Sequence, residues 1–349
     1  MLIIYNLDDA ISSFFAENTT ATRQECDNFA LFRAGGRVNP VEIQGAFSYT
    51  IIAGTDNSKL FQFRTNESEL DTSIISLATT AHPQFVTSCK YHGTIGQSRP
   101  LHVYEMEKLP GATYVMARNV SIPQPPDAAF RQRNTATDFA KFFAQSWNYG
   151  QRLRQDGVSS LLGEFSDKFD LLSRSLPSRF ASNLDIVRQG LPLLFSGTLP
   201  FVLTHQDLCE MNTLIDPETG RVTGIVDWAE ARILPFGFSM WGFENILGYM
   251  NSAGWHYYDN RHELEAIFWQ TFSTEAKNLS DNDLELIRIA RMTGLFRRYG
   301  LVMDGKVVKG VVDQSDPSSI AYLDAFCTTD DWMPRVRNSL CRSTCPQCN

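Results

Sequence analysis
The sequence predicts an α+β chain in two parts, a small antiparallel-sheet N-terminal part and a mainly helical C-terminal part. Three observations predict it. The chain has 349 residues, long for a single core and suited to two lobes or domains. Short alternating or apolar strand-like segments cluster before residue 110 and return only in one block at 201–226. Beyond residue 130 the apolar spacing becomes helical over long stretches.

Taken in order, residues 7–16 (Ile11, Phe14, Phe15) and 24–34 (Phe29, Leu31, Phe32) carry helix-like apolar spacing and predict an N-terminal helical extension. Val41 to Ile52 predicts a strand, a tight turn at Gly45 and a second strand. Gly45 would let backbone N–H groups approach phosphates, and Ser48 would add a donor. Lys59 to Arg64 alternates as a half-buried strand, with Gln62 and Arg64 on one face and Phe61 and Phe63 on the other. Residues 101–111 run from a strand into Pro110-Gly111. Phe139, Phe142, Phe143, Trp147 and Leu153 mark one apolar face of a helix over 134–154. Residues 165–196 read as short helices broken at Pro177 and Pro192. Phe236 to Met250 is rich in aromatics and is read as helical. Further amphipathic helices are predicted over 262–275, 282–299 and 317–326, and Asn251 to Gly254 reads as a loop.

The chemistry concentrates in residues 201–230, FVLTHQDLCEMNTLIDPETGRVTGIVDWAE. An apolar strand leads into His205-Gln206-Asp207, and Asn212 opens a second strand. Asp216 to Gly220 is a turn, since proline presets φ and glycine tolerates positive φ. The chain returns as a strand that ends on Asp227. Strand, polar loop, hairpin and carboxylate aim Asp207, Asn212 and Asp227 at one point. Two carboxylates and a carboxamide are the hard oxygen ligands and proton acceptor that a magnesium–nucleotide site requires.

HQDLCEMN fits the kinase catalytic-loop spacing H-x-D-x-x-x-x-N, and Asp227 falls where the metal-binding aspartate of D-F-G stands. With Asp-Trp in place of Asp-Phe and no long activation segment, the chain resembles the aminoglycoside phosphotransferase and choline-kinase-like family, in particular fungal phosphotransferase-family proteins. The resemblance covers about residues 40–330. It implies a protein-kinase-like two-lobed fold, with the N-lobe and its helical extension over 1–106, a hinge at 107–111, a helical C-lobe over 112–330 and a tail over 331–349.

It also implies an ATP- and Mg2+-dependent transfer of phosphate to a small-molecule hydroxyl. Asp207 would be the catalytic base, Asn212 and Asp227 the metal ligands, and His205 a brace for the loop. Laid on the kinase V-A-I-K pattern, Arg64 takes the place of the lysine, a departure because guanidinium is a broad fork rather than a point charge. Asp71 is expected to pair with Arg64, with Glu67 and Glu69 as competitors and Lys59 as a rival cation. Gly45 and Ser48 would cover the phosphates, beside Gln62. The backbone near Glu107 and Leu109 would meet the adenine edge. Glu230, Trp241 and Glu244 are expected at the substrate, whose class the aromatics hint is planar or apolar.

Net charge is −8 and the pI is about 5.3. That balance argues against nucleic acid, whose phosphates call for a basic footprint, and weakly favours a cationic or neutral substrate. Hydrophobic residues make up 43% and charged residues 20%, an ordinary globular balance. No apolar run reaches the roughly 20 residues of a membrane span, and Met1 to Tyr5 is too short for a signal core, so a cytoplasmic chain is expected. The 7 cysteines are scattered and predict no disulfide framework. Cys341, Cys345 and Cys348 are read as a reducible tail rather than a metal site, because a fourth ligand is lacking. Two alternatives beside the kinase concern this fold, and a third would make the cysteine tail a metal-binding or interaction module. One is a nucleotide-binding chain without transfer, which the missing lysine would suit; the other is the same fold turned to cyclisation or dehydration, with Asp207 as a plain acid or base.

Overall fold
The computed structural model describes residues 5–118, 127–304 and 307–328. The cysteine tail, Cys341, Cys345 and Cys348, lies outside them. Helices α1 (Leu7–Asn18) and α2 (Arg23–Ala34) open the chain, followed by strands β1 (Asn39–Pro40), β2 (Ser48–Ala53) and β3 (Lys59–Arg64). Helix α3 (Thr72–Ala81), β4 (Cys89–Ile95), β5 (Leu101–Glu107), β6 (Ala112–Thr113) and α4 (Tyr114–Ala117) come next. Helices α5 (Ala128–Asn148), α6 (Gln155–Ser175) and α7 (Ala181–Leu194) then precede β7 (Phe201–Thr204), β8 (Thr213–Ile215), β9 (Val222–Ile225) and β10 (Arg232–Pro235). The chain closes with α8 (Trp241–Glu244), the hairpin β11 (Gly248–Asn251) and β12 (Gly254–Tyr257), α9 (Arg261–Glu275), α10 (Asp281–Gly300), the hairpin β13 (Leu301–Asp304) and β14 (Val307–Val311), and α11 (Pro317–Cys327). Among the described residues no helix is long and apolar enough to cross a membrane, and Cys26, Cys89, Cys209 and Cys327 are free thiols.

The described residues fold as two compact units. Those within Met1–Tyr149, Leu203–Arg232 and His262–Glu275 form the first, and those within Gly150–Val202, Ile233–Arg261 and Ala276–Asn349 form the second.

In the first unit an antiparallel sheet runs in the order β1-β2-β3-β5-β4. The alternation of β3 places Phe61 and Phe63 on its inner face. They meet Tyr49, Ile51, Leu101 and Val103 of the neighbouring strands, and Ile11, Phe14, Cys26 and Ala30 of α1 and α2. The N-terminal helices therefore cover a sheet face that would otherwise be wet, and each is capped at its start by a side chain, Asn6 for α1 and the Thr22–Glu25 capping box for α2. Helix α5 turns its aromatic face to α9, with Phe143 against Phe268 and Trp147 against Phe272. A second sheet, β6-β8-β9, is antiparallel and carries the loop-and-hairpin block of the sequence.

The second unit is mainly helical. Phe169 of α6 packs edge-on to Phe296 of α10, and Tyr299 of α10 stacks on Tyr322 of α11.

Three expectations are corrected. Residues 42–47 do not form the first arm of a hairpin; Asn39 and Pro40 pair with β2, and the Val41 N–H adds one bond to the Thr50 carbonyl at 3.1 Å. The Gln44 carboxamide replaces the missing strand, accepting from the Thr50 N–H at 2.7 Å and donating to its carbonyl at 2.9 Å. Pro192 lies inside α7 rather than ending it, and its missing N–H forgoes one intrahelical bond near the helix end. The aromatic stretch 236–250 holds only the short α8 and then enters a β-hairpin, whose turn is Asn251 to Gly254. There Tyr249 stacks across the strands on His256, and a Cβ at Gly248 would stand 2.2 Å from the His256 carbonyl oxygen. Cross-strand packing of that kind overrides the helical reading.

One buried histidine that the sequence reading passed over supports the first unit. His82, fully buried at the end of α3, stacks on Phe142 of α5 and lies beside Trp228. Its Nδ1 is 3.3 Å from Gln145 Oε1 and its Nε2 is 3.3 Å from Ser146 Oγ. Burial pushes its pKa down to about 3 from the ordinary 6.5, because the charged ring would lose its hydration. The folded state holds this ring neutral while the unfolded chain protonates it below pH 6.5. The contribution is therefore complete above pH 6.5 and is lost as pH falls from there towards 3. Replacing His82 with phenylalanine is expected to flatten the fall of stability between pH 6 and pH 4 by up to about 1.4 kcal/mol per pH unit, read from urea melts at each pH; parallel slopes for the two proteins would contradict this.

Candidate active site
The bend after β7 is built by short-range bonds. Cys209 N–H donates to the Asp207 carbonyl at 2.9 Å and Asn212 N–H to the Cys209 carbonyl at 3.1 Å. His205, 2% exposed, sits at its base. His205 Nε2 lies 2.9 Å from the Val226 carbonyl oxygen, and the Asp207 N–H donates to His205 Nδ1 at 3.1 Å. A carbonyl can only accept and an N–H can only donate, so the proton sits on Nε2. His205 thus ties the bend to the end of β9. Trp228 holds it edge-on at 4.7 Å between ring centres, and the indole N–H donates to the Ile225 carbonyl.

The carboxamide of Asn212 turns its nitrogen to Asp207, 2.9 Å from Oδ2 and 2.8 Å from the main-chain oxygen. That bond fixes the orientation of the amide and leaves its Oδ1 on the opposite side. The main-chain oxygen of Asn212 accepts from the Val226 N–H at 2.9 Å, so Asp227 follows directly on a residue bonded to Asn212. Asp227 has φ of 61°, the left-handed region that a non-glycine residue enters at a cost. Its side chain is exposed. A strained backbone thus carries the Asp227 carboxylate one residue beyond the bond to Asn212, whose amide holds Asp207.

Arg64 closes β3. Only 8% exposed, it donates from Nε to the Ser68 carbonyl at 2.6 Å and from Nη1 to Gln62 Oε1 at 3.2 Å. Burial lowers its pKa, while the charge of Asp227 acts in the opposite direction. The guanidinium and the strained carboxylate therefore lie in each other's field. Gln62, expected to contact the cofactor, holds Arg64 instead.

The expected partner of Arg64 has another task. Asp71 is the N-cap of α3, accepting from the main-chain N–H of Ser73 at 2.9 Å and of Ile74 at 3.4 Å; a helix start with orphan N–H groups claims the nearest carboxylate. Of the competitors, Glu69 lies 3.7 Å from His102. Lys59 pairs across the sheet with Glu107 and, at 3.8 Å, with Glu105. Ser48 is 6% exposed with its hydroxyl 3.4 Å from that of Thr50, so it belongs to the sheet interior. A Cβ on Gly45 would come 3.2 Å from that same hydroxyl.

The 107–111 segment is fastened to the hairpin. Lys108 N–H donates to the Ser58 carbonyl, which by strand alternation turns the main-chain groups of Glu107 to the other edge. Thr223 Oγ1 donates to the Pro110 carbonyl at 2.6 Å. Gly111 has φ of 99° and its Cβ position is 2.4 Å from the Ile215 carbonyl oxygen, so only glycine fits. Leu109 lies over Gly224 of β9, 2.5 Å from where a Cβ would stand.

Two expected substrate residues are corrected. Trp241 and Glu244 are 1% and 3% exposed in the second unit. Glu244 forms a buried ion pair with Arg291, and Arg298 stacks over Trp241. An acid that must be paired to be buried is committed to that pair. Glu230 is exposed and belongs to the same unit as Asp207. The sequence reading missed the Arg118–Glu210 ion pair, which fastens the end of α4 to the bend after β7; its trace in the sequence is the Glu inside HQDLCEMN.

Comparison with known proteins follows the geometry. Residues 81–241 match the family model of the phosphotransferase enzyme family, a stretch that holds His205, Asp207, Asn212 and Asp227 but not Arg64. Among solved structures, aminoglycoside 2'-phosphotransferase-IIIa in its GDP complex is similar at 14% identity and TM-score 0.50, covering 80% of this chain and 90% of its own. Spectinomycin phosphotransferase, solved with ADP and spectinomycin, is similar at 14% identity and TM-score 0.48, covering 88% of this chain and 95% of its own. Ethanolamine kinase of Plasmodium vivax is similar at 10% identity and TM-score 0.45, covering 86% and 88%. No curated protein matches the chain by sequence. The chain thus carries, over residues 81–241, the sequence pattern of the phosphotransferase enzyme family on a protein-kinase-like α+β fold.

Proposed function
We propose that this protein transfers the γ-phosphoryl group of ATP to a hydroxyl of a small molecule. The observation that carries the reading is the Asn212 amide, whose nitrogen locks Asp207 and whose oxygen is left for a cation next to the strained Asp227. The donor set fits Mg2+, a hard ion that takes carboxylate and carboxamide oxygen. Asn212 and Asp227 would hold it, and the bound metal–nucleotide supplies the activated phosphoryl group and neutralises charge on its oxygens.

The chain's own residues do the rest. Asp207 Oδ2, oriented by Asn212, accepts the proton of the attacking hydroxyl; the new O–P bond forms as the bond to the departing ADP oxygen breaks. His205 keeps the bend at a fixed distance from β9. Arg64, held by Gln62 and the Ser68 carbonyl, offers its remaining N–H donors to phosphate oxygens in place of the usual lysine. Main-chain groups of Glu107 and Leu109 take the base edge. Gly45 lies on the loop that covers the phosphates.

The small-molecule acceptor class is supported by the family match and by the acidic balance of the chain, which favours amino alcohols and amino sugars over anionic acceptors. ADP release from Mg2+-ATP tests the reading, first with water as acceptor and then across amino alcohols, amino sugars and flat hydroxylated compounds. ADP formation that depends on both Mg2+ and Asp207 is expected. A protein that neither hydrolyses Mg2+-ATP nor is stabilised by it against heat would overturn the assignment.

A further inference from the structure
Beside its aromatic face α5 carries a row of polar residues, two of them buried. Its residues Arg131, Asn134, Thr135 and Asp138 are spaced to share one face. In the structure they grip the β8–β9 turn in register. Arg131 Nη1 donates to the Pro217 carbonyl at 3.1 Å. Asn134 Nδ2 donates to the Thr219 carbonyl at 2.8 Å, and Thr135 Oγ1 to the Gly220 carbonyl at 2.7 Å. Asp138, 7% exposed, accepts from Arg221 Nη1 at 2.9 Å and from the Val222 N–H at 3.1 Å. Its other cationic neighbour is Lys141 of the same helix, at 4.0 Å. The turn lies so close that a Cβ at Gly220, where φ is 70°, would stand 2.4 Å from the Arg131 carbonyl oxygen.

This hairpin needs such a guide. Its pairing slips between Leu214 and Ile215, so that Leu214 faces Gly224 but Ile215 faces Val222. Thr223 is the extra residue of a β-bulge, and a short bulged hairpin has a neighbouring register within reach. A slip of one residue exchanges the faces of the strand and would turn Asp227 away from Asn212. The bond from the Val222 N–H to Asp138 fixes the first residue of β9, and with it the position of the carboxylate at the other end.

We propose that Asp138, at the end of this polar rail on α5, is a positioning residue that sets the register of β9 and thereby aims Asp227. The role in catalysis rests on the phosphotransferase reading; the role in register does not. The test uses the full chain with Asp138→Ala, Asp138→Asn, which keeps an acceptor for the Val222 N–H, and Arg221→Ala. Amide hydrogen exchange is followed in the absence of nucleotide and metal. Asp138→Ala is expected to speed exchange over residues 222–225 by about ten-fold, the equivalent of about 1.4 kcal/mol for one lost buried hydrogen bond, while β2, β3 and β5 keep their protection. Asp138→Asn is expected to restore it. Half-saturating Mg2+ for turnover is expected to rise about ten-fold in Asp138→Ala and to return in Asp138→Asn, with Arg221→Ala between them. Unchanged exchange at 222–225, or a loss of protection shared equally with the five-stranded sheet, would overturn the proposal. So would a lower melting temperature with unchanged Mg2+ dependence. A wild-type chain without Mg2+-ATP turnover would remove the phosphotransferase reading, and the exchange data would still decide the register.

Discussion

Asp207→Asn is expected to lower turnover by roughly a hundred- to ten-thousand-fold, the range that a general base contributes, while Mg2+-ATP binds as before. The substitution keeps size and shape. An amide oxygen at the same place still accepts from Asn212 Nδ2, so the bonds at 2.9 and 2.8 Å that define the bend survive. What disappears is the capacity to receive a proton from the attacking hydroxyl. Isothermal titration with a non-hydrolysable ATP analogue and Mg2+, set beside steady-state ADP release, separates the two effects. A fully active variant would remove Asp207 from the chemistry. Equal losses of affinity and turnover would instead place it among the metal ligands.

Asp227→Asn carries the second large effect, and the structure dictates the choice of variant. Asp227 sits at φ of 61°, a conformation asparagine tolerates better than alanine does, so the amide isolates charge from backbone strain. Turnover is expected to fall about a hundred- to thousand-fold, as when one preorganised electrostatic group is removed. Stabilisation of the protein by ATP should no longer respond to Mg2+. Arg64 loses the charge that offsets its burial, so phosphate contacts on that side weaken as well. Asp227→Gly is the companion variant. It relieves the left-handed strain, worth about 1 kcal/mol or more, and should melt higher than the wild type while remaining inactive. A glycine variant that melts lower, or an asparagine variant with normal Mg2+ dependence, would show that the strained carboxylate is not held there for a cation.

Much of the site could be read locally. The spacing of His205, Asp207 and Asn212 is fixed within one bend, and the bend closes through bonds that span only a few residues. The turn at Asp216 to Gly220 follows from its own composition, with Asp216 accepting from the N–H groups of Glu218 and Thr219. The N-terminal helices and those near 262–275, 282–299 and 317–326 follow from apolar periodicity, which is a property of neighbours in sequence. Asp71 shows where such reasoning gives the wrong partner. Its position one turn ahead of Ile74 and Ile75 is the signature of a cap as much as of an ion-pair partner, and the helix claims it. Trp241 and Glu244 show the other limit. Composition marks residues able to bind, but Arg291, distant in sequence, shows that Glu244 is spent inside the core.

The sequence by itself determined the His205–Asn212 bend, the turn, the closing aspartate, the helical periodicities and the presence of an arginine where a lysine is usual. Each depends on residues a few positions apart, whose backbone preferences act before any packing. Only the tertiary structure decided that Asp227 is held in a left-handed backbone, that Arg64 is braced by Gln62 and the Ser68 carbonyl rather than by Asp71, and that the polar face of α5 grips the hairpin turn. The last of these pairs groups some 80 residues apart. Which buried donor meets which acceptor at that separation is chosen by the packing of α5 and the sheets, since each such group must find a partner once water is excluded.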